Sequence, residues 1–210
     1  MIGRTILTLL LASAVAPGVA AAGPGAIDVL FCAPGYPGNS EQAEPTMARF
    51  AAVLAAESGL EPYRVRAVYH ETAGGCLAAL EELRPALVLA TLPFWLEHRV
   101  EATLRPVLLA VPPTGPTESW ALVAKRGRVG AAGDLDGFAV ESIAGFSPSF
   151  VRGPALTAWG ALPDGVSVVF TARALSSLRK AARGEDVAVL LDGGQAAGLD
   201  RLPVAGDLEI

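Results

Sequence analysis

The residues best placed to do chemistry lie between Ser142 and Ser149, where a predicted strand leads into a predicted helix. The strand is predicted over residues 138–142, and a loop of small residues follows it. Ser147 is a favourable N-cap, and Pro148 suits the first position of a helix. The first amides of a helix lack internal partners and carry partial positive charge, so this junction could hold an anion. An ordinary capped helix is the alternative that the pattern leaves open.

Other side chains are expected to lie with this junction in a cleft that holds the ligand. Arg152 lies within two turns of the helix start and could donate to a ligand oxyanion, although a solvated surface position is the alternative. Asp192 follows an apolar strand predicted over residues 187–191, and Tyr36 lies in a Pro- and Gly-rich loop after the first strand. Phe94 could wall the cleft, although packing in a core is the alternative for each aromatic. The predicted ligand-binding residues are Tyr36, Phe94, Ser142, Gly145, Ser147, Arg152 and Asp192.

A hydrolase is the enzymatic alternative, with Ser147 as nucleophile and one of the two histidines, His70 or His98, as base. Residues 145–149 read Gly-Phe-Ser-Pro-Ser, which lacks the second glycine of a nucleophile elbow. The cysteines and histidines do not follow zinc spacing, and the chain has neither a Walker A sequence nor a dinucleotide-binding glycine motif. We therefore expect no catalysis, no metal and no cofactor.

The amino-acid composition limits the number of domains and the kinds of partner that the protein could have. The chain has 210 residues, of which 52% are hydrophobic and 18% charged, enough for one large or two small globular domains. A formal net charge of -5 without a basic stripe argues against a nucleic-acid partner. Aromatic residues make up 6% of the chain, which disfavours a platform that stacks single-stranded bases.

The first 22 residues are typical of a secretory signal peptide. Arg4 supplies a positive charge, residues 6–16 are apolar, and residues 20–22 are three alanines that suit a signal peptidase. The apolar run is too short to span a bilayer as a helix, and an uncleaved anchor is the alternative. We expect cleavage after Ala22 and a soluble protein in a bacterial periplasm.

The remaining chain alternates apolar strands with amphipathic helices. The first part has a β-α-β-α-β order, with a helix opening at Pro45 and another capped by Thr72, and this order is typical of a parallel sheet. Residues 112–117 read Pro-Pro-Thr-Gly-Pro-Thr and predict a crossing between two lobes. The fold prediction is therefore α/β, with two lobes, a parallel or mixed sheet in each and a cleft between them. The predicted boundaries are 23–116 for the first lobe, 117–201 for the second and 202–210 for the start of a return to the first.

Several stretches resemble, in their order, the substrate-binding proteins of bacterial ABC importers. They are Leu-Pro-Phe-Trp-Leu-Glu at 92–97, Trp-Ala-Leu-Val-Ala-Lys at 120–125, Leu-Asp-Gly-Phe at 135–138 and Ala-Arg-Gly-Glu-Asp-Val-Ala-Val at 182–189. The order looks most similar to the phosphate/phosphonate-binding branch of the type 2 periplasmic binding proteins. This resemblance implies a small anionic ligand held near residues 142–149, around Tyr36 and at Asp192. It also implies a membrane permease as partner and a monomeric protein. A binding protein that serves a sensor instead of a transporter is a further alternative.

The chain has two cysteines. Cys32 ends the first predicted strand, and Cys76 lies near the start of the second predicted helix. Two cysteines in an oxidising compartment often pair, but buried free cysteines are equally ordinary. The sequence leaves a disulfide and two free thiols open.

Export gives a first testable prediction. If residues 1–22 are a cleaved signal peptide, N-terminal sequencing of the protein recovered from the periplasm should begin at or near Gly23. A membrane-bound species that still begins at Met1 would contradict this prediction.

Overall fold

The computed structural model describes residues 25–36, 38–111 and 115–210, and these form two α/β lobes. The first lobe has a parallel sheet of order β2-β1-β3, with β1 (Ile27–Cys32) between β2 (Val65–His70) and β3 (Leu87–Ala90). The predicted two-lobed α/β fold with a sheet in each lobe is confirmed. The predicted signal peptide and part of the predicted crossing lie outside the described residues.

Three helices accompany the first sheet: α1 (Ser40–Glu57), α2 (Ala73–Leu83) and α3 (Leu92–His98). Side chains alternate between the two faces of β1, as the pleat requires. Val29 packs with α1 on one face, while Leu30 packs with residues of α2 and α3 on the other. This double coverage explains why β1 is an almost uninterrupted apolar run.

Two helix starts show how capping fixes boundaries. α1 begins five residues before Pro45, its predicted start, because Asn39 and Gln42 form a capping box. The Asn39 side chain accepts from the Gln42 amide at 2.8 Å, and the Gln42 side chain accepts from the Asn39 amide at 3.2 Å. Thr72 caps α2 as predicted, since its hydroxyl accepts from the Gly75 amide at 3.1 Å.

The second sheet has five strands in the order β6-β5-β7-β4-β8. They are β4 (Trp120–Lys125), β5 (Ala139–Ser142), β6 (Ser167–Phe170), β7 (Val187–Asp192) and β8 (Leu208–Glu209). The strands β5, β6 and β7 run parallel, whereas β4 is antiparallel to β7 and β8. Every residue of β7 is buried, so this strand forms the centre of the second lobe.

The last residues differ from their predicted role. Residues 202–210 were predicted to start a return to the first lobe, but β8 pairs with Ala124 and Lys125 of β4. Leu208 is 2% exposed in the core that α5 (Ala174–Ala182) shares with β7. The described residues after the crossing therefore form one lobe up to Glu209.

The helix predicted after Ser147 is a single turn. α4 (Pro148–Phe150) passes into a π-type turn over Val151–Ala155 and a 3₁₀ turn over Thr157–Trp159. Pro154 explains the break, because its ring removes an amide donor and crowds the preceding turn. A one-turn helix has few aligned peptide dipoles, so the positive end expected at Ser147 is weak.

A four-residue helix, α6 (Gly193–Ala196), directly follows β7. Within the ranges that the structure describes, no helix is long and apolar enough to cross a bilayer.

Candidate functional site

A pocket of about 340 Å³ lies where the two lobes meet, at the carboxyl ends of parallel strands from both sheets. This is the edge at which open α/β sheets bind ligands. The first lobe contributes the loop after β1, and the second contributes residues that follow β5, β6 and β7. The lining residues are Gly35, Tyr36, Ile143, Ala172, Asp192, Gly194 and Gln195.

A narrow cavity adjoins this pocket through Tyr36 and Ile143. Its volume of about 10 Å³ is enough for about one water molecule. Glu118 and Trp120, which lie at the start of the second lobe, form part of its wall. The pocket and this cavity together define the candidate site.

Asp192 is positioned by the end of β7 and by the helix that it caps. Its Oδ1 accepts from the Gln195 amide at 2.8 Å, and the Gln195 side chain accepts from the Asp192 amide at 3.2 Å. This capping box fixes the carboxylate at the mouth of the pocket. Among the described residues, Oδ2 of Asp192 has no hydrogen-bond partner.

The site is acidic. Partial burial raises the pKa of the Tyr36 hydroxyl, and the negative charges of Asp192 and Glu118 raise it further. Glu118 is exposed as a residue, but loss of solvent around its carboxyl, followed by the charge of Asp192, raises its pKa. Within the described ranges, no lysine or arginine lines the pocket or the cavity beside it.

The predicted anion cradle at Ser147 holds a carboxylate of the chain itself. The buried Ser147 hydroxyl donates to Glu97 Oε2 at 2.7 Å, and the Ser149 hydroxyl donates to the same oxygen. Glu97 belongs to α3 of the first lobe, so these bonds join the lobes. The bonds from Ser149 and Ser147 hold the pKa of Glu97 below its usual range. Ser147 therefore binds across the lobe boundary, and it makes no side-chain cap to α4.

Ser142 and Gly145 are also engaged within the second lobe. The Ser142 hydroxyl donates to the Leu190 carbonyl at 2.8 Å and accepts from the Ala144 amide at 3.1 Å. Gly145 lies so close to β6 that a β carbon on it would overlap the Val169 carbonyl. Both residues shape the loop after β5, but neither lines the pocket.

Arg152 and Phe94 lie away from the pocket. The Arg152 guanidinium donates to the carbonyl oxygens of Pro163 and Val166, so it ties the π-type turn to the segment before β6. Phe94 is fully buried in the core of the first lobe and packs against His98. Of the seven predicted ligand contacts, only Tyr36 and Asp192 line the pocket.

Among the described residues, Ser147 is not hydrogen-bonded to a histidine. The hydrogen-bond partners of the Ser147 hydroxyl are Glu97 and Ser149, and neither is a base of the histidine type. His98 pairs instead with Glu101, at 2.7 Å. A search of the described residues finds no group of three or more histidine, cysteine or acidic side chains able to hold a metal ion.

Sequence reasoning missed Gln195, Glu118 and Glu97. The position of Gln195 could have been predicted, because an aspartate followed three residues later by a glutamine, directly after an apolar strand, is typical of a capping box. Glu118 follows the Pro-rich crossing and shows no pattern of its own. Glu97 acts through a partner 50 residues away, a pairing that only the tertiary fold creates.

The lobes touch backbone to backbone at Gly35. Its φ of +88° is open mainly to glycine, and a β carbon there would overlap the Ile143 carbonyl of the second lobe. A side chain at this position would hold the lobes apart. The observed contact between the lobes therefore requires glycine at position 35.

Comparisons with known proteins identify the fold. No protein-family profile matches the chain, and no curated protein matches it. Among solved structures, a Xanthomonas citri protein bound to a chloride ion has a TM-score of 0.61 and 11% identity, covering 89% of this chain and 72% of that one. The binding-protein component of a Pseudomonas aeruginosa phosphonate ABC transporter has a TM-score of 0.53 and 12% identity, covering 88% and 63%. At this identity the likeness shows a shared two-lobed fold.

The backbone contact at Gly35 gives a second prediction. Gly35→Ala should open the two lobes, increase the radius of gyration measured by small-angle scattering and abolish solute binding. Gly38→Ala is the matched control, because Gly38 also has a positive φ, of +104°, but a β carbon there would meet only Gln42, at 3.6 Å. Both variants should lose about 1–2 kcal/mol of stability from backbone strain. Equal radii of gyration in the two variants and the parent would contradict the prediction that a β carbon at position 35 separates the lobes.

Proposed function

We propose that this chain is a solute-binding protein that captures a small solute between its lobes and delivers it to an ABC importer in the membrane. The observation that carries the proposal is the pocket of about 340 Å³, to which both lobes contribute walls at the carboxyl ends of their strands. Pockets of this size suit small molecules. The fold shared with the Pseudomonas phosphonate-binding component supports the same function.

Capture without turnover agrees with the groups at the site. The described pocket carries carboxylates and a phenol, and the one buried serine suggested as a nucleophile is bonded to Glu97. The predicted signal peptide supports a periplasmic location. A monomer that serves either an importer or a sensor fits this picture, and the importer is the proposal that the fold supports.

The charge of the solute is the point at which the site and the family resemblance differ. The resemblance implies a phosphate- or phosphonate-like anion, and this stays a prediction. The groups it relied on are engaged elsewhere, because Ser147 is bonded to Glu97 and Arg152 to two backbone carbonyls. An anion in the pocket would approach Asp192 and Glu118 without a basic side chain in the lining to offset the repulsion.

A cationic solute suits the site better. A positive charge between Asp192 and Glu118 would relieve their mutual repulsion, which contributes to the raised pKa of Glu118. Tyr36 lines both the pocket and the cavity beside it, and its ring could face an ammonium group. Tyr36 comes from the first lobe and Asp192 from the second, so such a solute would contact both and stabilise the closed form. We therefore propose a small ammonium-bearing solute as the ligand class.

A thermal-unfolding and calorimetry panel tests this proposal, with methylammonium, putrescine and L-lysine set against inorganic phosphate and methylphosphonate. A solute that binds only the folded protein raises its melting temperature by mass action. We expect at least one ammonium compound to stabilise the protein and to be recovered unchanged. Stabilisation by none of the five, or conversion of any of them, would contradict the solute-binding proposal.

A substitution at Asp192 tests whether the ligand is cationic. Asp192→Asn keeps a good N-cap and removes the charge, and it should weaken binding of the ammonium compound about 10- to 100-fold. Asp164→Asn, an exposed position outside the pocket lining, is the charge-matched control and should leave binding unchanged. Tighter phosphate binding by Asp192→Asn, without any ammonium binding by the parent, would instead support the anion.

The pH dependence of binding affinity distinguishes a cationic from an anionic solute. Because Glu118 holds its proton to a higher pH than an ordinary glutamate, and a cation favours its ionised form, binding should release a proton. Affinity for the ammonium compound should therefore rise with pH through the range in which Glu118 ionises, whereas an anion would show the opposite slope.

A further inference from the structure

Two buried thiols lie directly beneath the loop that supplies Tyr36 to the pocket. Cys32 is the last residue of β1 and is 1% exposed, and Cys76 lies in the first turn of α2 and is fully buried. Both belong to the core of the first lobe. Their roles in that core do not require sulfur, because small apolar side chains would pack in the same place.

The fold brings Cys32 and Cys76 next to the same residue, His70. The parallel register of β1 and β2 pairs Cys32 with His70, and the Cys76 thiol donates to the His70 carbonyl at 3.6 Å. The neighbouring Cys76 thiol, and then burial, raise the pKa of Cys32 above its ordinary value. Cys32 and Cys76 pack in one buried cluster, and both are free thiols in this structure.

We infer that Cys32 and Cys76 become a disulfide in the exported protein and fasten the end of β1 to the start of α2. Each thiol loses its hydrogen, a bond forms between the sulfur atoms, and two electrons with two protons pass to a thiol–disulfide oxidant of the periplasm. The bond closes a loop between residues 32 and 76. It also anchors the base of the segment 33–36, whose Gly35 and Tyr36 line the pocket.

Burial determines when the bond forms. The thiolate is the reactive form of cysteine, and both thiols are shielded from solvent in the folded protein. The reduced folded protein should therefore react slowly with an oxidant. Oxidation is expected while the chain is still folding, before α2 packs over β1.

The first test is the thiol content of the full-length protein purified from the periplasm. Denatured without reductant in the presence of an alkylating agent, it should take up no label, and its mass should be lower than that of the reduced chain by two hydrogens. Peptide mapping should recover Cys32 linked to Cys76. Two labelled thiols per chain would overturn the inference.

The second test distinguishes stabilisation by the disulfide from stabilisation by packing of the two cysteine side chains. The oxidised parent should melt roughly 10 °C above the reduced parent, because the bond restricts the unfolded chain. Cys76→Ala should melt at the same temperature with and without reductant; if it does not fold, the comparison of oxidised and reduced parent stands alone. Oxidised glutathione should cross-link the unfolded chain much faster than the folded, reduced one. Equal melting temperatures for oxidised and reduced parent would contradict a stabilising disulfide.

Discussion

The contact between the two lobes depends on the close approach of Gly35 to the Ile143 carbonyl. Two loops from different lobes meet there with no side chain between them, so a β carbon at position 35 would force one of the loops to move. The bonds from Ser147 and Ser149 to Glu97 form a second contact across the same boundary. One contact sets how closely the lobes approach, and the other holds them together at a distance from the pocket. Both use residues that each lobe presents at the carboxyl ends of its strands or in the helix that follows.

The charge of the site follows from which groups are already paired. Arg66 is bonded to Asp28, Lys180 to Glu141, and Arg152 to backbone carbonyls, so these cations are satisfied within their own lobes. The carboxylates at the pocket have no cationic partner in its lining, and loss of solvent, followed by the charge of Asp192, raises the pKa of Glu118. A solute that brings positive charge would complete the site. This argument from pairing leads to the ammonium class, and the family resemblance alone would not have suggested it.

Much of the fold and part of the site could be predicted from the sequence. The apolar run of β1 and the β-α-β-α-β order indicated a parallel sheet, and a cleft at the strand ends follows from that topology. Tyr36 and Asp192 line a pocket at this edge, and their contact with a ligand stays a prediction. Ser147 was singled out for its cap, but its partner Glu97 lies 50 residues away and only folding brings the two together. Local signals likewise do not show that Arg152 reaches two carbonyls further along the chain. Capping signals fix a backbone boundary, whereas the direction of a side chain depends on distant residues.

Hydrogen–deuterium exchange with and without a saturating ammonium compound from the panel tests most directly whether the lobes close on a solute. Residues 35 and 36 of the first lobe and residues 192, 194 and 195 of the second line the pocket. Because one solute contacts both lobes, the account predicts that it slows exchange in both segments together and over the same range of concentration. Protection confined to one lobe, or to a surface away from these segments, would contradict it.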